Sequence, residues 1–147
     1  MLDGAKTEIS IFWVDKQFGV PCKARLDIWN FSIIGDLKTT VDASPEGFGK
    51  AIANYGYSIQ AANYISACEH GLNESPQAFI FIAVESDEPH NVGVYAIDHA
   101  DILYGRARMD TALERYARAL DAGVWSGYSD RIEKAIVPAW GRRISTR

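Results

Sequence analysis

The chain has 147 residues, 48% of them apolar and 23% charged, with a formal net charge of −4. That length supports one domain, residues 1–147, with a core that needs no disulfide or metal staple. The acidic balance argues against a simple basic nucleic-acid-binding module, although the sign is uneven: residues 1–100 carry 6 basic and 13 acidic side chains, residues 101–147 carry 9 and 6.

Taken in order, Glu8 to Val14 reads as a first strand, aromatic and β-branched, ending in a turn near Asp15–Gly19. A hairpin follows between Val20 and Lys38. From Val20 to Trp29 the pattern alternates strictly, with Val20, Cys22, Ala24, Leu26 and Ile28 on one face and Lys23, Arg25 and Asp27 on the other. Ser44 and Pro45 then open a helix, as N-cap and first helical residue. Phe48, Ile52, Tyr55 and Ile59 keep helical spacing, and Gly56 predicts either a break near Asn54–Gly56 or a kink. The helix resumes through Gln60 and Tyr64 to about His70, with Gly71 as its expected left-handed C-terminal residue.

Gln77 to Glu85 is too continuously apolar for an edge strand and belongs inside a sheet. Val92 to Ile97 returns as another strand. Ala100 to Leu120 is a helix whose apolar stripe is Ile102, Met109, Leu113, Tyr116 and Leu120, with Arg106, Arg108, Arg115 and Arg118 interspersed outside it. Trp125, Tyr128, Pro138 and Trp140 supply the last segment with enough apolar surface to pack back on the body. The expected architecture is α/β, in the order β-β-β-α-β-β-α, one mixed sheet flanked by helices. No apolar run reaches membrane-spanning length, and Met1–Gly4 lacks the basic and apolar regions of a signal peptide. Cys22 and Cys68 read as small buried hydrophobes in a reducing compartment, so a cytoplasmic location is expected.

The hairpin carries the chemistry. Asp36 and Lys38, two apart, share a strand face. A turn centred on Phe31 and Ser32 sets Asp27 opposite Asp36, and a slipped register separates them. Opposed residues have Cβ atoms roughly 4.5–5.5 Å apart. Two carboxylates that close repel one another unless a cation lies between them. Two hard oxygen ligands beside an ammonium group suit Mg²⁺ and phosphate chemistry. Gln60 and Tyr64 lie one helical turn apart and can both point at the sheet. His70, His90 and His99 have no zinc-ligand spacing, no glycine-rich phosphate loop precedes a helix, and no serine or cysteine sits in a nucleophile elbow.

Asp27 followed by Asp36-Leu37-Lys38 resembles the D…(D/E)-x-K signature of the PD-(D/E)XK nucleases. Cys22-Lys-Ala-Arg-Leu-Asp27, Asp36-Leu-Lys-Thr-Thr40, Ala43-Ser-Pro-Glu-Gly-Phe48 and Tyr57-Ser-Ile-Gln-Ala-Ala-Asn-Tyr64 resemble the exodeoxyribonuclease VIII branch, with a more distant similarity to lambda exonuclease. The resemblance implies a restriction-endonuclease-like core. It implies Mg²⁺, with Mn²⁺ as substitute, held by Asp27, Asp36 and the Leu37 carbonyl; Lys38 assisting at the phosphate; and the Gln60/Tyr64 helix supporting the site. Lys23 and Arg25, on the expected Asp27 face, touch DNA phosphates or only balance the carboxylates.

The implied activity is exonucleolytic hydrolysis of duplex DNA ends in phage-type recombination, by a ring-shaped homo-oligomer working with a single-strand annealing protein. Two departures stand out. Leu26 replaces the motif's proline, and the few residues before Glu8 leave no room for the helix on which relatives carry another catalytic carboxylate and often a histidine. Glu8 itself is expected to face solvent. The alternative is therefore a truncated or degenerate relative that binds DNA or assembles without efficient catalysis.

Overall fold

The protein is described by a computed structural model covering residues 4–142; the ends of the expected domain, 1–3 and 143–147, lie outside the described residues. Its elements are β1 (Lys6–Val14), β2 (Pro21–Asn30), β3 (Ile33–Thr40), α1 (Pro45–Tyr55), α2 (Tyr57–Ala67), a π turn (Cys68–Leu72), β4 (Ala78–Glu85), β5 (Val92–Ala96), α3 (His99–Ala122) and a final 3₁₀ turn (Ala139–Arg142). The five strands form one sheet in the order β1-β2-β3-β4-β5. All neighbours are antiparallel except β3 and β4, which run parallel. A parallel pair needs a long crossover, and α1 and α2 provide it. Mixed sheet, element order and helical flank follow the expected architecture.

The core lies between the sheet and these helices. Leu26, Trp29, Ile34, Phe79, Phe81 and Ala83 meet Phe48, Ala61 and Ile65. Aromatic rings dominate its centre: Phe48 lies 5.5 Å from Phe81 and 5.3 Å from Tyr95, and Phe79 lies 4.9 Å from Phe81. The β4 side chains Phe79, Phe81 and Ala83 are buried while those between them are half-exposed, as expected of an interior strand covered more fully on one face.

The strict alternation expected along β2 fails at Asp27. Leu26 and Trp29 are both buried in one core, yet a regular pleat would send residues three apart to opposite faces. The irregularity is shared by β1. Pairs run Thr7↔Ile28 and Ile9↔Leu26, and between them Glu8 takes a left-handed φ of 55° opposite Asp27. Both strands step together, so the register resumes unchanged. Ile28 leaves the face assigned to it and packs over Gly35, where a Cβ would lie 3.1 Å from its own.

Helix boundaries follow local chemistry. The Ser44 hydroxyl accepts from the Gly47 amide at 3.1 Å, with Pro45 at the first position. Gly56, at φ 68°, ends α1 and begins α2, which is the expected break. The expected stop at Gly71 is displaced. The helix loosens into the π turn and ends at Asn73, which takes the left-handed conformation. Gly71 is required instead by close approach, since a Cβ there would collide with Ile11. Packing of α3 on α2 depends on Gly105 in the same way, because a Cβ there would run into the Ser58 carbonyl.

The last segment does not pack back. Trp125 reaches Tyr116 on α3 (5.3 Å between rings), but residues 124–142 are exposed throughout. They form no long element on which their apolar side chains could share one face.

Candidate metal-binding active site

The hairpin closes as the two-residue turn requires. Asn30 pairs with Ile33, leaving Phe31 and Ser32 at the tip, and the ladder continues through Trp29↔Ile34 and Ile28↔Gly35. There it stops. The next opposed residues are Asp27 and Asp36, and β3 goes on paired only with β4, Asp36↔Phe81 and Lys38↔Ala83. The site therefore occupies a fork where β2 leaves β3. Leu37 turns its amide toward the gap, and Asp27 Oδ2 accepts it at 2.9 Å in place of the lost ladder bond.

Asp36 is fully buried. Its Oδ1 accepts from Gln60 Nε2 at 2.9 Å, and its Oδ2 has no hydrogen bond of good geometry but contacts the Lys38 ammonium as an ion pair. Burial pushes the Asp36 carboxyl above the usual carboxylate range. Lys38 opposes that shift, the Asp27 charge reinforces it, and Gln60 opposes it weakly. Lys38 is itself largely sequestered, with its ammonium 4.9 Å from the centre of the Tyr57 ring.

The α2 helix delivers the remaining groups. Tyr57, Gln60, Ala61 and Tyr64 follow i, i+3, i+4, i+7 spacing, so they form one stripe facing the sheet. Tyr64 packs 6.1 Å from Phe79. Burial raises its phenol above the ordinary range; Gln60 offsets this, and the charges of Asp36, Asp27 and Glu8 add to it. Beyond Lys38, the Ala43 amide donates to Glu85 Oε1 at 3.0 Å and the Tyr95 hydroxyl donates to the Ala43 carbonyl, tying the β3–α1 loop to β4 and β5.

Of the residues expected at the site, Asp27, Asp36, Leu37, Lys38, Gln60 and Tyr64 come together. Lys23 and Arg25 do not join Asp36. They are exposed on β2 before its irregularity, and Arg25 is ion-paired with Glu8. Glu8 is exposed, as expected, and stands opposite Asp27 with its carboxylate ion-paired to Arg25. On α3, Arg106 binds Glu69 at 2.9 Å and Arg118 pairs with Glu114. Tyr57 is the site residue that the sequence reading missed; its position three before Gln60 was the available signal.

Asp27 and Asp36 are hard oxygen donors, and Asp36 Oδ2, buried without a proper hydrogen bond, is the kind of group that a cation would satisfy. Among the described residues no three Asp, Glu, His or Cys side chains converge on one point, and the fork brings together Asp27 and Asp36. That suits Mg²⁺, which is usually held by one or two carboxylates together with water and phosphate oxygens.

Residues 1–137 match a family described as a PDDEXK-like domain of unknown function (DUF3799). The chain belongs to that family. Its fold is similar to the crystal structure of a presumed exonuclease from Eubacterium rectale, with a TM-score of 0.68 at 15% sequence identity. The match covers 90% of this chain and 55% of that one, so the chain spans little more than half the length of its structural neighbour. No curated protein gave a significant sequence match. The fold is thus shared with that neighbour, and in this chain Asp27 and Asp36-Leu37-Lys38 stand where β2 and β3 part.

Proposed function

We propose that this PDDEXK-like domain is a Mg²⁺-dependent deoxyribonuclease of the exonuclease type, hydrolysing phosphodiester bonds at duplex DNA ends. The observation that carries the reading is the fully buried Asp36, met by Lys38 and Gln60 and set beside Asp27 at the β2–β3 fork. Burying a carboxylate is costly, and three other polar side chains converge around this one.

Asp27, Asp36 and the Leu37 carbonyl would hold magnesium, which supplies Lewis acidity toward the phosphate and a more acidic water. The chain's own groups set the geometry. Gln60 fixes one Asp36 oxygen, and Lys38 meets the other. Lys38 carries positive charge on the same strand face and stabilises the charge that builds on the phosphate oxygens. Tyr64, one helical turn beyond Gln60, packs on Phe79 and hydrogen-bonds with the Gln60 side chain. The water oxygen joins phosphorus, the bridging P–O bond breaks, and the departing oxygen takes up a proton. Duplex ends, a role in recombination with an annealing protein and a ring assembly belong to the same proposal and rest on the resemblance to exodeoxyribonuclease VIII; the cytoplasmic setting belongs to it too and rests on the sequence.

A second reading is a relative that binds DNA or assembles with little catalysis, since the resemblance implies a further catalytic carboxylate beside Asp27 and Asp36. One experiment separates them. Linear duplex is incubated with Mg²⁺ and wild-type protein, Asp27→Ala or Lys38→Ala. Degradation by the wild type alone supports the hydrolase; equal degradation by all three rules this site out. DNA binding without cleavage by the wild type supports the second reading.

A further inference from the structure

Lys38 is held from two sides. One is the Asp36 carboxylate; the other is the face of Tyr57, whose ring centre lies 4.9 Å from the ammonium. That ring is itself fixed, 5.8 Å from Phe81, 6.2 Å from Phe48 and 5.6 Å from Tyr55. Phe81 is the β4 residue opposite Asp36, and Ala83 is the one opposite Lys38. The aromatic face thus forms one wall of the Lys38 site, and a β4 ring braces that wall.

We propose that Tyr57 is a positioning residue that aims the Lys38 ammonium into the fork through its aromatic face. The two supports differ in a way that matters for catalysis. Asp36 cannot give its oxygens fully to a cation and to Lys38 at once. A ring attracts an ammonium by its quadrupole, donates no oxygen and adds no charge, so it keeps a hold on Lys38 when Asp36 turns an oxygen to a cation. A third carboxylate in that position would hold the lysine but raise the negative charge of the site. The catalytic part of this inference rests on the hydrolase reading; the holding of Lys38 does not.

The test compares Tyr57→Phe, Tyr57→Leu and Tyr57→Met with wild type. The first readout is the NMR shift of the Lys38 ε-methylene protons, assigned by their loss in Lys38→Ala. A ring-current upfield shift is expected in wild type and Tyr57→Phe and is expected to vanish in Tyr57→Leu. Tyr57→Met fills the gap flexibly and serves if the leucine variant does not fold. The second readout is Mg²⁺-dependent cleavage of linear duplex. Tyr57→Phe should keep wild-type activity, whereas Tyr57→Leu or Tyr57→Met should lose kcat by about tenfold or more with KM little changed, as misplacement of a reacting group requires. An unchanged ε-methylene shift without the ring would overturn the proposal, as would Tyr57→Phe losing as much kcat as Tyr57→Leu. A wild type that cleaves nothing sinks the hydrolase reading, and the NMR comparison then still decides whether Tyr57 holds Lys38.

Discussion

Replacing Asp36 by Asn tests whether the site is a stability burden relieved by metal. The substitution keeps side-chain shape and leaves an oxygen for Gln60, while Lys38 retains the Tyr57 ring. Burial raises the folded-state pKa of Asp36 above its ordinary 3.8 despite Lys38. Between 3.8 and that raised value the folded protein binds more protons at Asp36 than the unfolded chain does. Stability contributed by this group therefore falls as pH rises through that window, at no more than about 1.4 kcal/mol per pH unit for one proton. Below 3.8 the burden is absent, and above the folded pKa it is fully present. The wild type should lose stability relative to Asp36→Asn across the window and then run parallel to it. Urea unfolding followed by tryptophan fluorescence measures this, since Trp13 and Trp29 are buried. At about a hundredfold excess over Kd, Mg²⁺ or Mn²⁺ should return about 2.7 kcal/mol to the wild type. For a chain of this size that raises Tm by about 5–10 °C. Asp36→Asn should not respond. A wild type that gains on the variant as pH rises would refute the electrostatic reasoning, and equal metal shifts in both would refute the site.

Gly105→Ala should destabilise the protein by about 1–3 kcal/mol, because the added methyl meets the Ser58 carbonyl and forces α3 off α2, outweighing alanine's better helix propensity of about 1 kcal/mol; equilibrium denaturation decides it. Ser44→Ala should cost about 1 kcal/mol by removing the acceptor for the Gly47 amide, readable as a lower urea midpoint at unchanged slope. Cys68 is buried, and its thiol is pushed up to about 12 by burial and the neighbouring Glu69 and Glu74. A thiol reagent at pH 8 should therefore leave Cys68 untouched in the native protein and react with it only after unfolding.

The alternation up to Leu26, the Ser-Pro helix start, the glycine break at Gly56 and the unbroken apolar run of β4 were all legible, because each depends on residues adjacent in the chain. So was the hairpin register: with two residues at the tip, Asp27 must come opposite Asp36. Lys23 and Arg25 were placed with Asp27 by the same alternation, and that placement failed because Glu8 and Asp27 step out of the pleat together. Two segments must meet before such a step can form, so neither strand announces it alone. Gly71 looked like a helix stop but serves a contact with Ile11, and Gly105 admits the α2 backbone.

Local periodicity put Asp36 with Lys38 and Gln60 with Tyr64, and the family resemblance joined them with Asp27 as a set. Tertiary structure alone decided that β3 leaves β2 at Gly35, that Asp36 is fully enclosed, and that the Tyr57 ring lies against Lys38. These are contacts between strand and helix, and their energies depend on burial and on the direction of approach, neither of which is written in the spacing of residues along the chain.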